Sequence, residues 1–581
     1  MNKTTLFERI KILLKPHIKT VIIVTILSII INIGEIIRPY LIKIVIDDYL
    51  SAGIYQKGAI TIGMIGAAYI VIVIIGNILD FIASSTTNMM GEDVLYSIRN
   101  RLFKFTQYVN IPFHDKTSAG KLYVRITNDV EDISTLFKDV ITTILKDIVL
   151  IIAIIAIMIT FSKQLSLMAF IVIPFVILAS FIITRVINKI YDYSKTIRTH
   201  LNTFLAESIY GIKLIKIFNR QREKQKECEE YTTKFRNSRL PGGFFEGLLP
   251  AIIDILKYVS ISIVIWTCVN HWFGINMEVG LIYVFITYIK QLFEPITRII
   301  DNIETVQEAV VSINKIFDIL DQKEYLEDFE SGKKLDTVKG KIEFRNVWFA
   351  YEGENWILKN VSFTINPGES IALVGKTGSG KTTITNLLNR FYEIQRGEIL
   401  IDDINIKDIN LRSLREKIGI ILQDPFIFSK SIKDNIKLND NIDDETVEEA
   451  VNLACADEFV NSLPNRLDHI SREKGNSYSA GQKQLLAFAR IFAHNPSIFV
   501  LDEATANIDT QTEKSIQKAI DRISKDKTSI FIAHRLSTIV NVDKIIVLDH
   551  GEIIEQGNHH QLVNTGGYYS KLYNSYYESL G

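Results

Sequence analysis

The nine residues GKTGSGKTT (375–383) have the composition of a phosphate cradle. They follow the apolar run IALV and lead into ITNLL, so a strand, a tight turn and a helix start are expected in that order. Glycines at 375, 378 and 380 let backbone N–H groups close around phosphate oxygens, and the helix N-terminus adds positive potential. The spacing Gly375-x4-Gly380-Lys381-Thr382 is that of a P-loop, with Lys376, Thr377, Ser379 and Thr383 completing the cradle. Lys381 is expected to reach the β- and γ-phosphates of a nucleotide, and the Thr382 hydroxyl to bind Mg²⁺. A second apolar run, SIFVL, ends in Asp502 and Glu503. Asp502 is placed to hold Mg²⁺, and Glu503 to act as general base for water attacking the γ-phosphate. A third run, SIFIA, ends in His534, expected to touch the γ-phosphate. The P-loop alone fits a kinase, a GTPase or a transport ATPase, so the elements around it have to decide.

Those elements divide the chain. With 581 residues it is too long for one core. Residues 341–581 read as an α/β domain that opens on the alternating strand GKIEFRNVWFAY, after a charged, glycine-containing linker at 321–340. Residues 1–320 instead hold six apolar stretches, near 18–46, 58–83, 138–161, 165–187, 247–272 and 278–300, each long enough to span a bilayer as a helix. Pro39 is expected to bend the first. The expected fold is therefore a six-helix transmembrane bundle followed by an α/β P-loop nucleotide-binding domain.

Lysine and arginine crowd the connections after the second span (Arg99, Arg101, Lys104, Lys116) and after the fourth (Lys189, Arg198, Lys213, Arg220). The other connections hold almost none. Both long connections, both termini and the nucleotide domain are thus expected on the cytoplasmic side. Stretches 95–109 and 200–218 have helical periodicity, so the spans should continue beyond the bilayer as unbroken helix to turn-like tips at 113–123 and near 196–205. Glu35, Asp80, Asp254 and Lys257 lie at membrane depth, where a charge faces a cavity or a partner. Asp254 and Lys257, three residues apart, suit either a local pair or a place in a substrate cavity, and Glu294 before Pro295 reads as structural. A formal net charge of −1 argues against a nucleic-acid partner. Cys228, Cys268 and Cys455 are too scattered for a disulfide or metal framework.

With these residues in place, the chain resembles an ATP-binding cassette exporter half-transporter over nearly its whole length. The resemblance implies further roles. Tyr351, in FAYEGENWILKNVSF, stands where an aromatic residue stacks on adenine. Gln423, in IILQDPFIFS, stands where a glutamine touches Mg²⁺ and the attacking water. Asp509, in ANID, falls in the loop across a dimer interface. The stretch REKGNSYSAGQ (472–482) is similar to the family signature, whose Ser479, Gly481 and Gln482 would bind ATP held by the partner's P-loop. The two loop tips resemble coupling helices that seat on nucleotide domains.

The implied machine is a dimer in a lipid bilayer that alternates access as ATP closes and hydrolysis reopens it. Gln423, Glu503 and His534 are all present, so this chain's own P-loop face is expected to hydrolyse ATP. Its signature departs from LSGGQ at Tyr478 and Ala480. Together with QLLAFAR and ANIDTQTEKSIQ, this is similar to the catalytically intact half of bacterial heterodimeric multidrug exporters. A heterologous partner with a degenerate site is expected, with a homodimer as the alternative. The expected function is efflux of hydrophobic or amphipathic small molecules across a bacterial cell membrane. Lipid or peptide export, import of metal chelates and an ATP-driven membrane sensor are the other readings.

Overall fold

The computed structural model describes residues 5–50, 59–270, 278–322, 325–438, 440–472, 475, 478–502, 510–525, 527–532 and 539–578. They form two compact units: Met1–Gln107 with Ser118–Lys323, and Tyr108–Thr117 with Glu324–Gly581.

The first unit is helical. Six stretches of described helix are long and apolar enough to cross a membrane. Ile22, Ile26 and Ile33 on the helix Ile18–Ile44, and Ile70, Ile74 and Ile78 on Ala59–Tyr108, point outward. An isoleucine surface on this scale is stable against lipid tails, not against water. The inner faces meet in a core that includes Ile154, Met158, Val176, Val264 and Phe285. The first helix runs through Pro39 and widens into a π-helical turn at Val45–Leu50. Proline has no N–H, so the Glu35 carbonyl four residues earlier loses its helical donor. Gln291 Nε2 donates to that carbonyl at 3.5 Å, and the Tyr288 hydroxyl donates to the Ile36 carbonyl at 2.8 Å.

The helical extensions differ from expectation in one place. The helix Ile173–Tyr210 runs straight through 196–205, which is no turn. The chain reverses instead at 211–220, with a short helix Ile212–Ile217 between Gly211 and the helix Gln221–Val269. The cause is local: the Gly211 N–H is the last to reach back, to Glu207 at 2.8 Å, and Asn219 adopts a left-handed conformation (φ 52°).

In the second unit an antiparallel sheet has the order β2-β1-β4-β5, from β1 (Ile342–Ala350), β2 (Trp356–Ile365), β4 (Arg396–Ile401) and β5 (Ile404–Asn405). A larger sheet has the order β10-β9-β3-β8-β7-β6. It is built from β3 (Ser370–Val374), β6 (Ile418–Ile421), β7 (Ile498–Asp502), β8 (Thr528–Ile532), β9 (Lys544–Asp549) and β10 (Glu552–Gly557). Strands β9, β3, β8, β7 and β6 run parallel. Their unbroken apolar runs follow from burial on both faces. Residues 108–117 join this unit through an antiparallel bridge, Val109 to Leu326, and through buried Phe113.

Candidate nucleotide site

The register of the parallel sheet sets the site. Leu373 of β3 lies opposite Ile532 of β8, and Ile532 lies opposite Asp502 of β7, with Ile421 of β6 beside Leu501. The P-loop therefore leaves the carboxyl edge at which β6, β7 and β8 also end, and Gln423 follows β6 there. In open parallel sheets ligands bind at this edge. Glu503, Asp509 and His534 lie outside the described residues.

The P-loop is held by close backbone approaches. A Cβ at Gly375 would come within 2.2 Å of the Leu548 carbonyl. Gly380 has φ 102° and starts the helix Lys381–Leu388 from a left-handed conformation that a side chain rarely adopts. Lys381 is 6% exposed, and its Nζ donates to the carbonyls of Gly375 (2.7 Å) and Lys376 (3.0 Å). The amine is thus folded over its own loop. Among the described residues no side chain caps this helix start, and the buried Ser379 hydroxyl has no hydrogen-bond partner. Orphan N–H groups, a buried hydroxyl and an amine at one helix N-terminus suit phosphate oxygens. Lys376, Thr377, Gly378 and Thr382 are exposed around this cradle, and Thr383 is buried behind it.

Tyr351 follows β1 and is 45% exposed, with its hydroxyl 3.2 Å from Thr383 Oγ1. The half-exposed ring therefore lies beside the P-loop helix. Gln423 lies two residues past β6 and is exposed.

The irregular stretch 478–482 resolves into two parts. Tyr478 is 8% exposed, packs edge-on against Phe459 (5.3 Å between centroids) and shares a 3.1 Å hydrogen bond with Ser471. It is a core residue and reads no phosphate. Ser479 and Gln482 instead form a reciprocal capping box at the start of the helix Ala480–His494. Ala480 is its exposed first residue, and Gly481 is buried behind it.

Two residues that sequence reading passed over tie this helix to the Gln423 segment. Asn435, fully buried, accepts from the Phe428 N–H (2.8 Å) and donates to the Phe428 carbonyl (2.9 Å). Arg490 on the helix donates to the Asn435 carbonyl (2.7 Å) and to its Oδ1 (3.1 Å). Burial lowers the Arg490 guanidinium to about 10, which leaves it charged at neutral pH. The sequence signal was slight: an arginine inside the apolar run LLAFARIF.

Comparison with known proteins agrees with this architecture. Residues 21–296 match the ABC transporter transmembrane region and residues 358–506 the ABC transporter domain. A Streptococcus pneumoniae protein named as an ABC transporter ATP-binding protein is 34% identical over 98% of this chain and 97% of its own length. A Bacillus subtilis protein named a probable multidrug resistance ABC transporter ATP-binding/permease protein is 36% identical over 84% of this chain and 72% of its own. The structure of a bacterial Atm1-family ABC exporter with ATP bound superposes with a TM-score of 0.82 at 25% identity, covering 97% of this chain and 98% of that one. Six described helices long and apolar enough to cross a membrane, a P-loop at the carboxyl edge of a parallel sheet and a relative aligned nearly end to end lead to one family. The chain belongs to the ATP-binding cassette transporters, as an exporter-type, multi-pass membrane protein that works as a dimer and couples ATP hydrolysis to transport.

Proposed function

We propose that this chain is the hydrolysing half of an unequal pair of half-transporters, and that it exports amphipathic compounds carrying positive charge. A cavity of about 470 Å³ in the membrane unit carries the substrate side of this reading. Its wall is charged. Asp80 pairs with Lys146 at 2.8 Å, and Asp147 takes two hydrogen bonds from Arg298, at 3.1 and 2.6 Å. Glu35, Asp139 and Glu294 also line it, and among the described residues their carboxylates form no ion pair or hydrogen bond. Glu294, expected to be structural, is thus a wall residue. Asp254 and Lys257 form their own pair at 2.6 Å and do not line the cavity. A surplus of carboxylates on one wall favours a counter-charge, and Val24 and Leu150 in the same wall suit an apolar body. The relative named for multidrug resistance supports the same reading.

Lys381, with Gly375–Thr383 around it, neutralises and positions the triphosphate, and Tyr351 stacks on the adenine. Glu503 takes the proton of the attacking water, and His534 and Gln423 orient the γ-phosphate and that water. Mg²⁺, when bound, offsets phosphate charge, and Thr382, Gln423 and Asp502 present the hard oxygen donors that it prefers. Ser479, Gly481 and Gln482, with Asp509, serve the site completed by the partner. Ala480 supports the unequal pair: it places a methyl group at the exposed start of the helix whose N–H groups face that second site. Tyr478, packed inward, presents nothing to that second site. The lysine and arginine bias of both long connections supports a bacterial cell membrane orientation with the nucleotide unit in the cytoplasm.

Purified alone in lipid nanodiscs, the chain is expected to hydrolyse ATP poorly and to gain activity with its partner half. A stable homodimer with two equal hydrolytic sites would refute the unequal pair. In the active complex, lipophilic cations are expected to stimulate ATPase activity several-fold, and matched lipophilic anions not at all. Glu294→Gln should raise the half-stimulating cation concentration roughly tenfold, the effect of about 1.4 kcal/mol. Equal stimulation by cations and anions would dismiss the charge preference.

A further inference from the structure

Tyr351 is not held by the nucleotide site alone. Its ring is bounded edge-on by Phe349 (4.9 Å, 83°) and by Tyr392 (4.9 Å, 88°). Edge-to-face packing by two rings confines the Tyr351 ring, which stays 45% exposed. Tyr392 lies in the turn after the P-loop helix, and its hydroxyl donates closely to Asp115 Oδ2. Burial, and then the Asp115 carboxylate, push the Tyr392 phenol well above its usual range, so it stays a proton donor.

Asp115 sits on the short helix Ile111–Lys116, whose start is capped by Asn110. Three links seat this segment on the nucleotide unit. The Asn110 N–H donates to the Tyr325 carbonyl and the Glu327 N–H to the Tyr108 carbonyl, both at 2.8 Å. Phe113, 2% exposed, lies 6.0 Å from the Tyr325 ring. Along the chain, the segment directly continues the 50-residue helix Ala59–Tyr108, which contains the second membrane span.

We propose that Asp115 and Tyr392 are positioning residues that hold the Tyr351 ring for adenine, so that ATP affinity depends on how residues 108–117 are seated. Neither touches the reacting atoms. Movement of the Ala59–Tyr108 helix that lifts Asp115 releases Tyr392, frees the Tyr351 ring and weakens the nucleotide. By linkage, bound ATP favours the seated segment to the same degree. The inference rests on Tyr351 facing adenine, and the test separates the two ideas.

The assembled transporter is assayed for ATPase activity over a range of MgATP concentrations. Tyr392→Phe keeps the ring and loses the hydroxyl, and Asp115→Ala removes its acceptor. Each is expected to raise the KM for ATP roughly three- to tenfold, with kcat within twofold. Asp115→Asn, which still accepts the hydrogen bond, should restore most of the affinity. In a Tyr351→Leu background, Asp115→Ala should add nothing further, because the relay then has no ring to hold. An unchanged KM in Tyr392→Phe, or an Asp115→Ala effect that simply adds to that of Tyr351→Leu, overturns the relay. An unchanged KM in Tyr351→Leu alone overturns the adenine reading beneath it. If Asp115→Ala fails to assemble, Tyr392→Phe carries the same comparison in both backgrounds.

Discussion

Lys381→Ala is expected to lower ATP turnover by about 10²–10³-fold, the usual cost of removing a preorganised group that meets developing phosphate charge. The amine is already held over the cradle by the carbonyls of Gly375 and Lys376, so it needs little reorganisation to meet a triphosphate. The fold should hardly notice the change. Alanine is the best helix former, and Lys381 opens the helix Lys381–Leu388. Loss of ATP binding, measured with a fluorescent analogue, together with an unchanged thermal transition is therefore the expected signature. Turnover within tenfold of the unaltered protein would remove Lys381 from the site.

Arg298→Met is expected to act the other way, on stability before activity. Asp147 is 1% exposed and Arg298 44% exposed, so the pair is buried on one side only. Removing the arginine strands a carboxylate inside the bundle, which costs about 3–5 kcal/mol. Removing the acid with Asp147→Asn leaves an arginine that still reaches the cavity, so the loss should be smaller. The double variant Asp147→Leu/Arg298→Met should recover much of the difference, because a buried pair is often replaceable by well-packed apolar residues. Thermal inactivation in nanodiscs checks the order: Arg298→Met least stable, then Asp147→Asn, then the double variant. Equal loss in both single variants would mean that the buried carboxylate is not the source of the penalty.

The two predictions stand at opposite ends of what could be read in advance. The loop around Lys381 was legible because it is contiguous: glycines, lysine and hydroxyls at set spacing dictate a backbone conformation suited to phosphate. The six spans were legible for a similar reason, since a long apolar run has few places to go but lipid. The Asp147–Arg298 pair joins residues 151 positions apart, and nothing local marks either partner. Glu294 shows the same limit. Its place before Pro295 suggested a structural role, yet helix packing puts it in a cavity wall.

Tyr478 makes the point within a single motif. By spacing it looked like a defect in a phosphate-reading stretch. Its side chain is spent on Phe459 and Ser471, partners 19 and 7 residues away, while Ser479 and Gln482 cap the helix start. Which side of the chain a residue presents to a core and which to a ligand is a tertiary property.

By itself, the sequence determined the class of chemistry, the order of strand, loop and helix around the nucleotide, and the division into membrane and α/β parts. These follow from local spacing and from the solvent that each run can tolerate. Tertiary structure alone decided that the carboxylates of Glu35, Asp139 and Glu294 share one cavity, that Arg490 reaches Asn435, and that Asp115 meets Tyr392 across 277 residues of chain. The physical reason is common to all three: a lone charge or hydroxyl acquires its role from the partner that packing brings to it, and packing joins residues without regard to their separation along the chain.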